Sequence, residues 1–185
     1  PSKTSVITIE GSLVKVLAES PLQNNAMGYD TTSPFPRGFS WRLDKPNTVY
    51  WVEALDGGNP KGKTLEYYDA VYQLDAPFDG EKQEVVKTKM RYGGITWCDD
   101  EFAIVSQRLS SKRLTSMSSF KPCAGEEPKE IFKWRSEDNY ANPGRVVTVK
   151  NDFGKNVIFT DKKHSRLLLQ STGSSPEGDM PLPYR

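Results

Sequence analysis

The chain has 185 residues, of which 36% are hydrophobic and 26% charged, and its 20 aromatic side chains are enough to fill a core. No run approaches the roughly 18 apolar residues that a membrane-spanning helix needs, so we expect no membrane span. The 25 basic and 24 acidic residues leave a net charge of +1, which does not indicate a strong electrostatic attraction for nucleic acid or an anionic membrane. The chain begins at Pro1 without a leader pattern, and we interpret it as a piece of a longer protein.

Short segments rich in β-branched and aromatic residues follow one another along the chain, with turn-forming residues between them. Glycine and proline total 27 residues and are scattered, which leaves few stretches for a long helix. Residues 20–38 predict a long irregular connection, and residues 172–185 carry no periodic pattern. The predicted strands are 6–9, 13–17, 49–54, 70–74, 84–88, 102–107, 116–120, 130–134, 146–149, 157–160 and 167–170.

A four-strand pattern occurs twice in the sequence. Residues 38–41 (GFSW) recur as residues 94–97 (GITW), and each copy continues with an acidic turn and three more strands. The offset falls from 56 residues at the tryptophan to 46 at the last strand, because the second copy has shorter loops. Four strands every ~40–50 residues is the period of a β-propeller blade. A weaker third copy begins near Arg145.

This repeat predicts an all-β chain that forms a partial β-propeller of about three to four blades, each a four-stranded antiparallel sheet. Trp41 and Trp97, at equivalent positions of the repeat, are predicted to lie in the blade cores. The expected division is 1–37 for the end of a preceding blade with the long connection, 38–92 and 93–144 for two blades, and 145–185 for a partial blade with an irregular tail.

The residues that carry chemistry are few. The single histidine, His164, is predicted to be an exposed turn residue, and one histidine argues against a zinc site. Cys98 and Cys123 allow one disulfide bond, but free thiols are favoured, with a packing role for Cys98. The sequence has no Gly-x-Ser-x-Gly elbow. We therefore expect no catalytic residue, no cofactor and no metal site.

Two charged segments are interpreted as turns. Residues 99–101 are three adjacent acids whose spacing fits neither a glycosidase pair nor a calcium loop. Residues 108–113 are basic but lack the interleaved aromatic residues of a single-stranded nucleic acid site, and they predict a solvated hairpin turn.

Three longer segments resemble one known family in the same order and at similar spacing. Residues 38–58, 91–100 and 135–144 are similar to the glutamyl endopeptidase branch of the prolyl oligopeptidase family of serine peptidases. The resemblance covers about residues 13–160 and falls on the later part of the family's N-terminal β-propeller.

The resemblance implies that the parent protein has a C-terminal α/β-hydrolase domain, which carries the serine, aspartate and histidine of the active site. The propeller would limit the access of peptide substrates to that domain and shape the substrate pocket, and this chain itself would hydrolyse nothing. Arg91 is a candidate to bind an acidic substrate side chain, with a salt bridge at a blade edge as the alternative. A bacterial cell envelope or secreted location for the parent follows from family association alone.

Two other classes of protein stay open at this point. One is a stand-alone β-propeller that serves as a binding module or scaffold, and the other is a carbohydrate-binding β-sandwich, against which the repeat counts. An incomplete propeller also exposes the apolar faces of its end blades, so self-association through those faces is a further hypothesis.

Overall fold

The computed structural model describes residues 1–22, 28–175, 178–179 and 183–184. These residues form antiparallel strands and one 3-10 helix at Ser110–Lys112, which confirms the predicted all-β class. Across the described ranges, no helix has the length and apolar character needed to cross a membrane.

Two consecutive four-stranded sheets make up the centre of the chain. In each sheet every strand pairs with the next one along the sequence, so that both are simple antiparallel meanders. A two-stranded hairpin precedes them, and its strands are β1 (Ser2–Ile7) and β2 (Leu13–Ser20). The first sheet contains β3 (Arg37–Trp41), β4 (Thr48–Ala54), β5 (Asp69–Asp75) and β6 (Gln83–Thr88). The second contains β7 (Arg91–Trp97), β8 (Ala103–Leu109), β9 (Leu114–Phe120) and β10 (Lys129–Arg135).

The two sheets pack face to face through one hydrophobic cluster. Alternate residues of a strand point to opposite faces, so Val52 and Val71 of the first sheet meet Trp97 and Val105 of the second. Residues one position away, such as Trp51, belong to a different cluster that includes the β1–β2 hairpin. The first sheet is therefore covered on both faces, which is the environment expected for a propeller blade between neighbours.

The part of the chain after residue 144 forms shorter strands. The strand predicted at 157–160 ends at Ile158, and the strand predicted at 167–170 begins at Leu169, with an isolated bridge between Thr160 and Leu167. Two-residue strands also lie in the tail, for which no periodic structure was predicted. The elements are β11 (Arg145–Val146), β12 (Thr148–Lys150), β13 (Asn156–Ile158), β14 (Leu169–Gln170), β15 (Ser174–Ser175), β16 (Gly178–Asp179) and β17 (Pro183–Tyr184).

The connection between β2 and β3 is irregular over its described residues, as predicted, and residues 23–27 lie outside the described part of the chain. Hydrogen bonds of Thr32 and Asp30 hold its second half against the sheets. The backbone N–H of Thr32 donates to the carbonyl of Gly58 at 2.8 Å. The carboxylate of Asp30 accepts the backbone N–H groups of Ser110 and Ser111 at 2.6 and 3.1 Å.

We predict that Gly58→Ala destabilises the chain by about 2–5 kcal/mol, because it adds a steric clash to the strain of a left-handed residue. Gly58 has φ +83°, and a Cβ atom there would lie 2.3 Å from the carbonyl oxygen of Thr32. Gly57 is the matched control, since its φ is +71° but its Cβ would meet only the flexible end of Lys63, at 3.7 Å. Equal losses of unfolding free energy in urea for the two variants would contradict the close approach of residue 32.

Candidate functional site

A buried ion cluster joins the two four-stranded sheets, and Arg91 lies at its centre. Asp56 lies shortly after the last residue of β4, Asp69 is the first residue of β5, and Arg91 is the first residue of β7. The cluster therefore forms at the end of β4 and at the starts of β5 and β7. The Arg91 guanidinium donates from Nη1 to Asp56 Oδ1 at 3.0 Å and to Asp69 Oδ1 at 2.9 Å, and from Nη2 to Asp56 Oδ2. Its Nε donates to the carbonyl oxygen of Asp30 at 2.6 Å. One side chain thus ties together both sheets and the long connection.

The charges of this cluster are balanced. Asp69 Oδ2 also accepts Arg37 Nη2 at 2.6 Å and the backbone N–H of Tyr92 at 2.8 Å. The side chains of Asp56 and Asp69 are fully buried, and only 8% of the Arg91 side chain is exposed. Burial alone would lower the pKa of Arg91, but the hydrogen bond to Asp56 and the charges of Asp69 and Asp56 outweigh it and raise this pKa.

Arg91 also lines a cavity of about 770 Å³ beside the long connection. Three lysines line the same cavity, Lys61, Lys89 and Lys112, and all three are exposed. The Arg91 guanidinium is already engaged by two aspartates, and Lys89 pairs with Glu127. Arg91 thus makes a salt bridge, which is the alternative to substrate binding that the sequence left open. A role of Arg91 in binding an acidic substrate side chain stays a prediction.

A second buried arginine contacts the second sheet at Trp97. The Arg42 guanidinium lies over the Trp97 ring at 4.2 Å and donates to Gln73 Oε1 at 2.7 Å and to Asp44 Oδ1 at 3.0 Å. Trp97 is fully buried, as predicted. The corresponding prediction for Trp41 is wrong, because 49% of Trp41 is exposed. Its ring contacts Phe78 edge to face, whereas Trp97 is enclosed between two sheets.

The structure also brings His164 against Cys98 and Asp99, two consecutive residues that lie far from it in the sequence. The Nε2 atom of His164 lies 3.1 Å from Asp99 Oδ2, and its Nδ1 atom lies 4.0 Å from Cys98 Sγ. The Cys98 sulfur is 3.8 Å from Asp99 Oδ2 and 3.8 Å from the carbonyl oxygen of Ile158 in β13. Cys98, Asp99 and His164 are each partly buried. We call these three residues the thiol–carboxylate–imidazole cluster.

Local structure holds each member of this cluster in place. Asp99 Oδ1 accepts the backbone N–H groups of Glu101 and Phe102 at 2.8 and 2.9 Å, which fixes the turn between β7 and β8 and leaves Oδ2 directed at the cluster. The His164 ring stacks on Phe102 with the ring centres 5.1 Å apart and the planes 5° from parallel. The segment 99–101 is thus a turn, as predicted. His164 does lie in a turn, but its side chain is only 23% exposed, so the prediction of an exposed residue is wrong.

Burial, reinforced by the nearby charge of Asp99, raises the pKa of the Cys98 thiol to about 11. The other cysteine, Cys123, is exposed, and both cysteines are free. A thiol whose pKa is raised holds little thiolate at neutral pH and is a poor nucleophile. The cluster therefore has the donor atoms of a metal-binding site, whereas its surroundings do not stabilise a thiolate at Cys98.

Comparison with known proteins gives two relatives. The chain is 35% identical to a protein named probable glutamyl endopeptidase, chloroplastic, from Arabidopsis thaliana, and 32% identical to one of the same name from Oryza sativa subsp. japonica. Each alignment covers 98% of this chain and 20% of the relative. No protein-family model matches, and no solved structure matches significantly. The chain thus spans about a fifth of the length of the curated relatives it matches, and it is homologous to a segment of proteins named as peptidases.

Proposed function

We propose that this chain is a non-catalytic β-propeller segment of a prolyl oligopeptidase-family serine peptidase, in which it limits and shapes the access of peptides to a hydrolase domain. The observation that supports this most strongly is the pair of consecutive four-stranded meanders stacked face to face. The similarity to a fifth of two proteins named glutamyl endopeptidase supports the same proposal independently.

The contacts of the single histidine support a non-catalytic role for the chain. A serine peptidase needs a histidine that takes the proton from a serine hydroxyl. The groups closest to the His164 ring nitrogens are the thiol of Cys98 and the carboxylate of Asp99. The sequence also lacks the Gly-x-Ser-x-Gly elbow that presents the nucleophile in α/β-hydrolases. Hydrolysis in the parent protein would therefore depend on residues outside this chain.

The stacked sheets are suited to form part of a rigid wall. The Arg91 and Arg42 clusters both lie between the sheets, and their buried charges are paired, so separating the sheets would expose paired charges and apolar surface together. A wall of this kind admits a short or unfolded peptide through a narrow opening and excludes a folded protein. The hydrolase domain and the peptide substrate are the partners that this role requires.

The function proposed for Arg91 within this account is mainly structural. Direct binding of an acidic substrate side chain predicts that, in the full-length protein, Arg91→Met raises KM for acidic substrates and leaves kcat unchanged. A structural role predicts a loss of stability in the isolated chain, where no substrate is present.

Two assays test the proposed function. The 185-residue chain should neither react with a fluorophosphonate probe for active serines nor cleave glutamyl peptides. In the full-length protein, kcat/KM for a short glutamyl peptide should exceed that for the same sequence inside a folded protein by at least about tenfold. Labelling of the chain would contradict the non-catalytic assignment, and equal cleavage of the two substrates would contradict the access role.

A further inference from the structure

The thiol–carboxylate–imidazole cluster has the composition of a transition-metal site. Thiolate sulfur, imidazole nitrogen and carboxylate oxygen are the three kinds of donor that proteins use to bind Zn²⁺. One donor atom from each of Cys98, Asp99 and His164 lies within 4.8 Å of the other two. We propose that these three residues form a binding site for a single divalent cation of the zinc class.

One imidazole nitrogen of His164, the Cys98 sulfur and one Asp99 oxygen lie within 4.8 Å of one another, somewhat farther apart than the ligand atoms of a tetrahedral site. Zinc bonds of about 2.0–2.3 Å place neighbouring ligand atoms about 3.3–3.7 Å apart. The separations are 3.1 Å between His164 Nε2 and Asp99 Oδ2, 3.8 Å between Asp99 Oδ2 and Cys98 Sγ, and 4.0 Å between Cys98 Sγ and His164 Nδ1. The two His164 distances involve different ring nitrogens, so binding of one ion requires the side chains to rotate until a single nitrogen faces it together with the sulfur and the oxygen.

The backbone around the cluster is fixed by bonds that do not use the ligand atoms. Asp99 uses Oδ1 for its own turn and keeps Oδ2 for the cluster. The loop that carries His164 is held by Asp161, whose Oδ1 accepts the backbone N–H groups of Ser165 and Arg166 at 2.7 and 3.1 Å. The stacking of His164 on Phe102 sets the plane of the imidazole ring. A cation would therefore bind to side chains that are already positioned.

The donor set favours zinc-class ions over calcium and magnesium. Calcium takes six to eight oxygen ligands, and magnesium takes oxygen in octahedral geometry, whereas this site offers one carboxylate with sulfur and nitrogen. Zn²⁺ and Co²⁺ accept mixed S, N and O ligands in tetrahedral geometry. Three protein ligands leave the fourth position to water.

A nucleophilic cysteine is the competing interpretation of the same three residues. A thiol that gives its proton to histidine lies within hydrogen-bonding reach of it, and the Cys98 Sγ to His164 Nδ1 distance of 4.0 Å is at the long limit of a hydrogen bond to sulfur. The Asp99 carboxylate lies 3.8 Å from the sulfur, where it opposes a thiolate. A divalent cation removes this conflict, because it neutralises the thiolate and the carboxylate together. On binding, the thiol proton passes to solvent and no oxidation or reduction takes place.

The test is a titration of the reduced 185-residue chain with Co²⁺, followed by absorbance, with Zn²⁺ as the competing ion. We expect one Co²⁺ per chain, a thiolate-to-cobalt charge-transfer band, and loss of that band when Zn²⁺ is added. Cys98→Ser should abolish the band. Asp99→Asn and His164→Gln should each weaken binding by at least about tenfold. Asp99→Asn keeps an Oδ1 acceptor for the turn. Its effect on the affinity therefore reports the loss of a carboxylate ligand and not a change in the backbone.

Cys123→Ser is the matched control, because Cys123 is the other free cysteine and is exposed. It should leave the band and the affinity unchanged. Circular dichroism establishes that each variant is folded before it is titrated. Absence of the charge-transfer band in the unaltered chain, equal affinity in Cys98→Ser, or loss of the band in Cys123→Ser would each overturn the proposal. These measurements use no peptidase substrate, so their outcome is independent of the proposed function.

Discussion

Replacement of Arg91 by methionine is expected to lower the free energy of unfolding by about 3–5 kcal/mol. Methionine preserves most of the side-chain length and removes the charge, which leaves the carboxylates of Asp56 and Asp69 buried without their shared partner. Because a domain is stable by only about 5–15 kcal/mol, the loss is a large part of the total. Urea denaturation followed by tryptophan fluorescence measures the change.

Arg135→Met is the control for this experiment. Arg135 also forms an ion pair, with Glu137 at 3.3 Å, but the two side chains are 63% and 45% exposed. A solvent-screened pair contributes little, so the denaturation midpoint should hardly move. In the double variant that combines Arg91→Met with Asp56→Asn, the loss should be smaller than the sum of the single losses, since the two side chains interact directly. Equal denaturation midpoints for Arg91→Met and Arg135→Met would contradict the role of the buried Arg91 ion cluster in holding the two sheets together.

Replacement of Trp97 by alanine is expected to cost about 3–5 kcal/mol, because it opens a cavity in the cluster between the two sheets. Trp97 is fully buried, packs edge to face on Tyr50 at 5.2 Å, and lies beneath the guanidinium of Arg42. The variant therefore removes apolar contacts and a cation–π contact together. The same urea denaturation, followed by far-ultraviolet circular dichroism because a tryptophan is lost, measures the change.

Trp41→Ala is the matched comparison for Trp97→Ala. The two tryptophans occupy equivalent positions of the repeat, but 49% of Trp41 remains exposed. Its removal should cost about 1–2 kcal/mol, which is the scale of partial burial of a large side chain. Equal losses for the two variants would mean that Trp97 does not lie at a tightly packed interface between sheets.

Much of the fold was predictable from local sequence patterns. The strand predicted at 70–74 lies within β5 (Asp69–Asp75), and the strand predicted at 116–120 lies within β9 (Leu114–Phe120). Alternating apolar residues and turn formers act over a few neighbours, so their effect can be seen in the sequence. The strands after residue 144 were harder to predict, because strands of two or three residues carry too few side chains to show an alternating pattern.

The side-chain clusters were less predictable, for a physical reason. Cys98 and Asp99 meet His164 only because β13 packs beside β7 and the following loop turns back over Phe102. No spacing rule connects positions 98 and 164. The contrast between Trp97 and Trp41 has the same origin, since the repeat makes them equivalent in sequence while only Trp97 is enclosed by a neighbouring sheet.

The most direct test of the proposed peptidase propeller is the sequence of the source gene beyond the codon for Arg185. We expect a downstream α/β-hydrolase domain with a Gly-x-Ser-x-Gly elbow, followed by an aspartate and then a histidine. A stop codon close to Arg185, or a downstream region without these three elements, would contradict it. The chain would then be interpreted as a stand-alone β-propeller module for binding or scaffolding.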